Sequence, residues 1–227
     1  MFKRQKSSGH TNKAIREKSR IINPAHPSAR IIEEAVSVIE EGDVVLFPTR
    51  CLYGLAADAS NPRAVERIFR IKRRSFQNPL LVLVKDHKDI GRLVQHVSPE
   101  AKSIMNSFWP GKITLVFKAL PVILSALTAG TGKIGVRIPG HPVASRLVHL
   151  ANGPITGTSA NISGSLGASR ISDIDPVIIS EVDLILDAGP LKGGSGSTVV
   201  DVSEKTPKIL RGGEIPLKKL FTALNHR

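Results

Sequence analysis

The sequence predicts a single α/β domain built on a mixed, strongly twisted sheet flanked by helices. Short apolar runs typical of buried strands alternate with amphipathic segments throughout the chain. The last strand candidates stand too close together for helical crossovers, so some strands must pair antiparallel. With 227 residues, 41% of them hydrophobic, the chain can form one substantial core. We expect this domain at residues 25–227 and a basic, flexible arm at residues 1–24, with order beginning near Pro27.

The first half of the domain alternates helices and strands. Asn61 followed by Pro62 is a strong helix start, because the amide caps free backbone N–H groups and proline fits the first helical position. Ser28 is expected to cap an earlier helix, and Gly42 is placed to end it. The expected elements are a helix within 28–42, a strand at 44–47 closed by Pro48, a helix from Asn61 into a basic cluster at 72–74, and a strand at 80–84.

The second half continues the alternation. Ser98, Pro99 and Glu100 supply a cap, a first-turn proline and a first-turn acid for another helix. The remaining expected elements are strands at 113–117, 134–138, 154–158, 184–186, 198–201 and 209–211, and helical pieces at 98–108, 121–127, 141–151 and 175–180.

Polar residues follow several of the predicted strands, where α/β sheets bind ligands. Thr49 and Cys51 follow the first strand, and residues 158–164 follow another with hydroxyl and amide groups. Ordinary strand exits or capping turns also contain such residues. Arg137 lies inside an apolar strand, which is costly unless the guanidinium pairs with a buried carboxylate or faces a cavity and a ligand anion. We favour the cavity.

Lys72 and Arg74 stand two residues apart, a spacing that places both cations on one side of an extended chain. The two side chains could bind one phosphate together. Alternatively, their positive charges could interact with the negative end of the helix dipole at a helix C-terminus. Residues 130–133 resemble part of a P-loop. That pattern requires Gly five residues before the Gly-Lys pair, where this chain has Leu127, and Ser or Thr after the pair, where it has Ile134. Lys133 therefore remains only as a possible phosphate contact.

The net charge is +13, of which residues 1–20 contribute +6. Such a surface favours polyanionic partners, whether RNA, nucleotide phosphates or both, although a basic tail can also be merely solvated. The sequence contains no apolar run of about 18 residues, so we expect no membrane partner and a cytoplasmic protein. Cys51 is the single cysteine, which excludes an internal disulfide and a multi-cysteine zinc site.

Taken together, several motifs resemble those of the Sua5/YrdC/YciO family. They occur in the same order over about residues 28–215 and are Pro48-Thr49-x-x-x-Tyr53-Gly54-Leu55, Lys72-x-Arg74, Asn78-Pro79-Leu80, Trp109-Pro110-Gly111, Val136-Arg137-Ile138-Pro139, His141-Pro142, Ser159-Ala160-Asn161-x-Ser163-Gly164, Ser197-Thr198-Val199-Val200-Asp201 and Leu210-Arg211. The resemblance implies a YrdC/RibB-like fold in its short, YrdC-type form, with an added basic arm.

The resemblance also implies an activity. The family joins L-threonine, bicarbonate and ATP with Mg²⁺ and releases pyrophosphate, and the threonylcarbamoyl-AMP serves a tRNA threonylcarbamoyl-transferase machinery that modifies adenosine 37. By resemblance, the nucleotide is held by Arg74, Asn78, Lys133, Ser159, Asn161 and Arg211, and L-threonine by Thr49, Cys51, Arg137, Gly157 and Ser197. Lys72 and Arg74 fall at the reacting phosphate or carbamate as catalytic residues. No metal-binding residue is assigned.

One departure from the family pattern bears on specificity. Many members have an acid and then a threonine where this chain has Arg50 and Cys51, so a cation replaces an anion and a thiol replaces a hydroxyl. A nucleophilic role for Cys51 is disfavoured, because no His lies in a recognisable partner motif. The alternative function is a YciO-like factor that binds tRNA or double-stranded RNA, or associates with the ribosome, with little synthase activity.

Overall fold

Within the described residues, the strands lie in two mixed sheets rather than in the single sheet that the sequence predicted. The computed structural model describes residues 15, 17–216 and 218–220. The strands within them are β1 (Ser19–Ile21), β2 (Val45–Pro48), β3 (Tyr53–Ala56), β4 (Val82–Leu83), β5 (Ile113–Lys118), β6 (Lys133–Arg137), β7 (Ile155–Thr156), β8 (Thr158–Ser159), β9 (Leu184–Asp187), β10 (Thr198–Asp201) and β11 (Lys208–Arg211). One sheet has the order β1-β9-β2-β3-β8 and the other β11-β10-β5-β6-β4-β7. The predicted mixed α/β class is confirmed.

The helices follow the predicted pattern closely. The α-helices with both ends inside the described residues are α1 (Ala29–Glu40), α2 (Pro62–Ile71), α3 (His87–Ile90), α4 (Pro99–Phe108), α5 (Ser125–Thr128), α6 (Pro142–Leu150) and α7 (Pro176–Glu181). The Asn61 side chain accepts hydrogen bonds from the backbone N–H groups of Arg63 and Ala64, and Ser98 accepts one from Ala101. Ser28 precedes α1 as predicted, but its side chain makes no capping hydrogen bond. Caps followed by proline were therefore the reliable helix signals.

Order begins before Pro27, contrary to the sequence-based expectation. β1 pairs in parallel with β9, with Ser19 opposite Ile185 and Ile21 opposite Asp187. The Lys18 ammonium donates hydrogen bonds to the carbonyl of Val182 at 2.7 Å and to that of Ser180 at 2.9 Å. An edge strand is held by backbone pairing and needs no apolar periodicity, which is why the sequence pattern missed it. The rest of the predicted arm, residues 1–14 and 16, lies outside the described residues.

A β-hairpin follows the predicted strand end at Pro48, and the second strand of this hairpin was not predicted from the sequence. β2 and β3 pair antiparallel, with Pro48 opposite Tyr53 and Phe47 opposite Gly54, so the turn is confined to residues 49–52. A Cβ atom on Gly54 would lie 3.0 Å from the carbonyl oxygen of Thr158, which explains the need for glycine where β3 meets β8. The hairpin fixes Thr49 and Cys51 on a short turn between two fully buried strands.

Two groups of buried apolar residues stabilise the sheets. The smaller one packs α1 and α6 against β2 through Ile32, Ile39, Phe47 and Leu147, each at most 1% exposed. The larger one includes residues of α2, α4 and both sheets. In the part of the chain that the structure describes, no helix has the length and apolar character that a transmembrane span requires.

Candidate active site

A cleft of about 620 Å³ lies over one face of the six-stranded sheet. Alternate residues of three strands form its floor, as the two-residue period of a strand requires: Thr114 and Val116 in β5, Lys133, Gly135 and Arg137 in β6, and Val199 and Asp201 in β10. The turn at residues 49–52 and β8 contribute walls. Nine of the predicted site residues line the cleft: Thr49, Cys51, Arg74, Lys133, Arg137, Gly157, Ser159, Ser197 and Arg211. The structure therefore brings together residues that lie as far apart in sequence as Thr49 and Arg211.

Arg137, at the end of β6, supplies a buried guanidinium to the cleft. Its Nε atom is buried and has no hydrogen-bond partner. Burial lowers the pKa of Arg137, while the negative charge of Glu214 opposes that shift. No carboxylate of the described residues forms an ion pair with Arg137, and Arg137 lines the cleft. The interpretation that Arg137 faces a cavity is therefore favoured over the interpretation that it pairs with a buried carboxylate. A buried donor without a partner is suited to receive a ligand anion.

Ser197 and Arg211 are fixed beside Arg137 by a network of hydrogen bonds. The Ser197 hydroxyl lies 2.9 Å from the hydroxyl of Thr114, and Arg211 donates from a terminal nitrogen to the Ser197 carbonyl at 2.9 Å. Ser197 is 4% exposed. The hydroxyl and the guanidinium are thus held in place before any ligand binds, which reduces the cost of binding one.

Lys72 lies beneath the segment at residues 159–161 and is not among the residues that line the cleft, and its expected role at a reacting phosphate stays a prediction. Its side chain is 1% exposed, and the ammonium donates to the carbonyl of Ser159 and, at 2.8 Å, to that of Asn161. Burial, together with the positive charge of Arg74, lowers the pKa of Lys72 to about 7. These hydrogen bonds tie the Lys72 ammonium to the backbone of residues 159–161.

Asn161 completes the same loop. Its side-chain amide donates to the carbonyls of Ile162 and Ser165, each at 2.8 Å, and its Oδ1 accepts a hydrogen bond from the Ser159 hydroxyl. The carboxamide lies off the cleft wall, whereas Thr158 and Ser159 of β8 line the cleft. Asn161 holds the Ser159 hydroxyl in one orientation.

Arg74 reaches the cleft from the segment after α2. Its guanidinium donates to the carbonyl of Asn78 at 3.2 Å and to that of Pro79 at 2.9 Å. Burial lowers the pKa of Arg74. Asn78 is exposed and contributes its backbone carbonyl to Arg74, while its side chain is not part of the cleft wall. The expected cation is in place, and Asn78 supports it.

Lys133 already has a protein partner. Its ammonium lies 2.9 Å from a carboxylate oxygen of Asp201 across the sheet. Burial alone would raise the pKa of Asp201, but hydrogen bonds from Ser203 and Lys133 lower it. A ligand phosphate would therefore meet an ion pair at this position and not a free ammonium.

Arg50, His141 and Glu214 also line the cleft, and the sequence did not single them out as ligand contacts. Arg50 forms an ion pair with Glu214 at 2.9 Å. Burial and the charge of Glu214 raise the pKa of the Cys51 thiol, and a raised thiol pKa is consistent with the expectation that disfavours a nucleophilic role for Cys51. Burial lowers the pKa of His141 to about 4, so its imidazole is neutral near pH 7, and its buried Nδ1 has no hydrogen-bond partner. His141 stood within a quoted motif, whereas no sequence signal pointed to Glu214.

The described residues contain no preformed metal-binding site made of three or more His, Cys, Asp or Glu side chains. Nowhere in residues 15, 17–216 and 218–220 do three His, Cys, Asp or Glu side chains form a group suited to a metal ion. The carboxylates that line the cleft, Asp201 and Glu214, are paired with Lys133 and Arg50.

Comparisons with known proteins agree on one family. The family model Sua5/YciO/YrdC, described as telomere recombination, matches residues 37–213. A threonylcarbamoyl-AMP synthase of Pyrococcus abyssi is 35% identical over 83% of this chain and 56% of its own length. The structure of P. abyssi Sua5 complexed with L-threonine has a TM-score of 0.84 and 34% identity, covering 91% of this chain and 61% of that one. E. coli YciO has a TM-score of 0.81 and 27% identity, covering 89% of this chain and 98% of its own. The chain thus spans little more than half the length of the P. abyssi synthase.

Proposed function

Because this chain belongs to the Sua5/YciO/YrdC family, we propose that it is an L-threonylcarbamoyladenylate synthase. It joins L-threonine, bicarbonate and ATP and releases pyrophosphate, which makes it a nucleotidyltransferase. The observation that carries this proposal is the buried Arg137 guanidinium, which has an unpartnered Nε and lies in a cleft with three further arginines, Arg50, Arg74 and Arg211. A cleft with several cations suits a reaction whose three substrates all carry anionic groups.

In this proposal, L-threonine binds in the part of the cleft that Arg137 lines. The guanidinium binds the α-carboxylate through two N–H groups, a geometry that lysine cannot reproduce. Ser197 and Thr49 lie in the same cleft and supply hydroxyl oxygens. Thr49 donates its own hydroxyl proton to the carbonyl of Leu52 at 2.6 Å, so its oxygen is left to accept a hydrogen bond. This accepting position suits the side-chain hydroxyl of threonine.

The triphosphate is placed toward Arg74, Ser159 and Arg211, with Mg²⁺ arriving as part of the MgATP substrate. The threonine amine attacks the carbon of bicarbonate with loss of water, and the resulting carbamate oxygen attacks the α-phosphorus, so that pyrophosphate leaves. Arg74 and Arg211 neutralise the charge that develops on the phosphate oxygens. Lys72 and Asn161 contribute by holding the Ser159 loop, and positioning of the reactants accounts for much of the acceleration. The proposed product passes to a tRNA threonylcarbamoyl-transferase machinery in the cytoplasm.

The arginine variants test the proposal at the amino-acid end. Arg137→Ala is expected to raise the KM for L-threonine at least about tenfold, the equivalent of one good charged hydrogen bond, with ATP binding unchanged. Arg146→Ala, an exposed arginine on α6, is the matched control and should leave both quantities unchanged. If Arg137→Ala binds threonine as tightly as the wild type does, Arg137 is not the carboxylate site.

A further inference from the structure

Glu214 places a carboxylate in the active-site cleft, beside the residues assigned to the amino acid. Its side chain is 11% exposed and lines the cleft together with Thr49, Arg137 and Ser197. We propose that Glu214 binds the α-ammonium group of the substrate amino acid, opposite the guanidinium of Arg137 that binds the carboxylate. This inference rests on the proposed function and adds to it a residue that distinguishes amino acids from other carboxylic acids.

The backbone around Glu214 is fixed against the start of β10. The N–H of Glu214 donates a hydrogen bond to the carbonyl of Gly196 at 3.0 Å, and the N–H of Ile215 donates to the hydroxyl of Thr198 at 3.0 Å. Ser197 stands between these two anchoring residues. Glu214 is therefore held next to Ser197, whose hydroxyl belongs to the proposed amino-acid site.

Among the described residues, two carboxylates line the cleft, and they lie at different ends of its floor. Asp201 forms an ion pair at 2.9 Å with Lys133, the first residue of β6. Arg137 is the last residue of β6, and four residues of extended strand span about 13 Å. Burial lowers the pKa of Arg137, and Glu214 lies close enough for its negative charge to oppose that shift. Glu214 is thus the cleft carboxylate that lies near Arg137.

One oxygen of the Glu214 carboxylate remains available to a ligand. Oε1 accepts a hydrogen bond from Arg50 at 2.9 Å and lies 3.8 Å from the ammonium of Lys192. Oε2 accepts no hydrogen bond from an N–H or O–H group of the described residues, and the Cys51 thiol, which also hydrogen-bonds to Glu214, is a weak donor. Glu214 and Arg137 line the same cleft without forming an ion pair with each other. An amino acid, which carries an ammonium and a carboxylate on one carbon, can bind between them.

Neutralising surface cations does not by itself account for a carboxylate at this depth. Arg50 and Lys192 have side chains that are 39% and 66% exposed, so water solvates both cations. Glu214 is far less exposed and bears the greater cost of desolvation. A ligand ammonium inside the cleft gives this carboxylate a partner at the same depth.

Binding by Glu214 is compatible with the reaction of the amine. An ammonium group has three N–H donors, and the neutral amine that remains after loss of one proton still has two. One of these can stay bonded to Oε2 while the nitrogen lone pair attacks the carbon of bicarbonate. Glu214 would in this way orient the nucleophile.

The test compares two ligands that differ in one group. L-Threonine and 2,3-dihydroxybutanoate share the carboxylate and the β-hydroxyl, and the second has a hydroxyl in place of the ammonium. Isothermal titration calorimetry without ATP measures both affinities. The wild type should bind L-threonine at least about tenfold more tightly than the analogue, the effect of one charged hydrogen bond. Glu214→Gln should reduce this preference to less than about threefold, by weakening the binding of L-threonine and not that of the analogue.

Arg50→Gln is the matched control, because it breaks the same ion pair and keeps the carboxylate. It should retain the preference for L-threonine. Three results would overturn the inference: no preference in the wild type, an equal loss of preference in the two variants, or an equal weakening of both ligands by Glu214→Gln. The last two would assign to Glu214 a structural role only.

Pyrophosphate release by the wild type reports separately on the proposed synthase. Release that depends on L-threonine, together with an unchanged preference in Glu214→Gln, would overturn the role of Glu214 and leave the synthase standing. No release by a protein whose preference for L-threonine depends on Glu214 would contradict the synthase and support the ammonium site.

Discussion

Arg50 donates a hydrogen bond from Nε to a carboxylate oxygen of Glu214 at 2.9 Å, joining two residues 164 positions apart at one end of the cleft. The same oxygen lies 3.8 Å from the ammonium of Lys192. The cation at position 50, where many family members carry an acid, is thus neutralised by an acid on another segment. Because the Arg50 side chain is 39% exposed, the pair stabilises the fold by no more than about 1 kcal/mol. Its main effect is on the charges inside the cleft.

The single cysteine reports on this ion pair. Burial raises the pKa of the Cys51 thiol, Glu214 raises it further and Arg50 lowers it. Glu214→Gln should therefore lower the thiol pKa and Arg50→Gln should raise it, as followed by thiolate absorbance near 240 nm against pH. Glu204→Gln, a change at an exposed surface acid, is the control. Thiol titration curves that coincide in all four proteins would contradict the placement of Glu214 beside Cys51.

The buried Lys72 should make stability depend on pH. Its folded-state pKa of about 7 is below the usual lysine value of about 10.4. Below pH 7 both states are protonated, and the folded state bears the cost of burying the ammonium. Between the two pKa values the folded state releases its proton while the unfolded state keeps it, so stability rises with pH.

The comparison of wild type with Lys72→Met isolates this contribution. The difference in unfolding free energy, wild type minus variant, should grow by more than about 1 kcal/mol between pH 7 and pH 9. Urea unfolding at several pH values measures it, with Lys102→Met as an exposed control. Parallel stability curves for wild type and Lys72→Met would show that the ammonium is retained throughout this range.

Arg73→Gly is expected to stabilise the protein. Glycine adopts the left-handed conformation at the end of α2 without the steric cost that arginine bears, which is about 1 kcal/mol. The melting temperature should rise by about 2–4 °C for a chain of this size. Arg70→Gly, three residues earlier within α2, should instead destabilise by about 1 kcal/mol. Equal destabilisation by both changes would show that the Arg73 side chain contributes to folding.

The adjacent glycines 212 and 213 should respond differently to alanine. A Cβ atom on Gly213 would lie 2.4 Å from backbone atoms of Ser197 and Thr198, while one on Gly212 would meet no atom within 4 Å. Gly213→Ala should therefore destabilise by about 1–3 kcal/mol and weaken amino-acid binding through the displaced Ser197. Gly212→Ala should change stability by less than about 0.5 kcal/mol. Denaturant unfolding and threonine titration of the pair measure both effects, and similar losses in the two variants would contradict the close packing at Gly213.

Local signals accounted for most of the fold. Asn61 and Ser98 capped helices as predicted, because a capping side chain followed by proline acts within a few residues. β1 and β3 were missed because strand pairing depends on distant partners: Ser19 pairs with Ile185, and Pro48 pairs with Tyr53 across a polar turn that was interpreted as a site loop. The division into two sheets likewise depends on pairings that no local pattern specifies.

The residue types of the cleft were largely predictable, but their partners were not. Arg137 stood out because a cation inside an apolar strand needs an explanation, and the structure places it in the cleft. The burial of Lys72 beneath the Ser159 loop could not be deduced from its spacing to Arg74, since the loop lies 87 residues away. The ion pair between Arg50 and Glu214 could not be predicted either, because the two residues lie 164 positions apart in sequence.

The most direct test of the proposed function is pyrophosphate release from ATP by the purified protein, with bicarbonate present and a panel of amino acids that includes threonine and serine. We expect release that depends on both L-threonine and bicarbonate and that Arg137→Ala diminishes at low threonine. Release with a different amino acid alone would contradict threonine as the substrate and assign the altered specificity to Arg50 and Cys51. No release with any amino acid, from folded protein that still binds ATP, would contradict the synthase and favour an RNA-binding factor with the same fold.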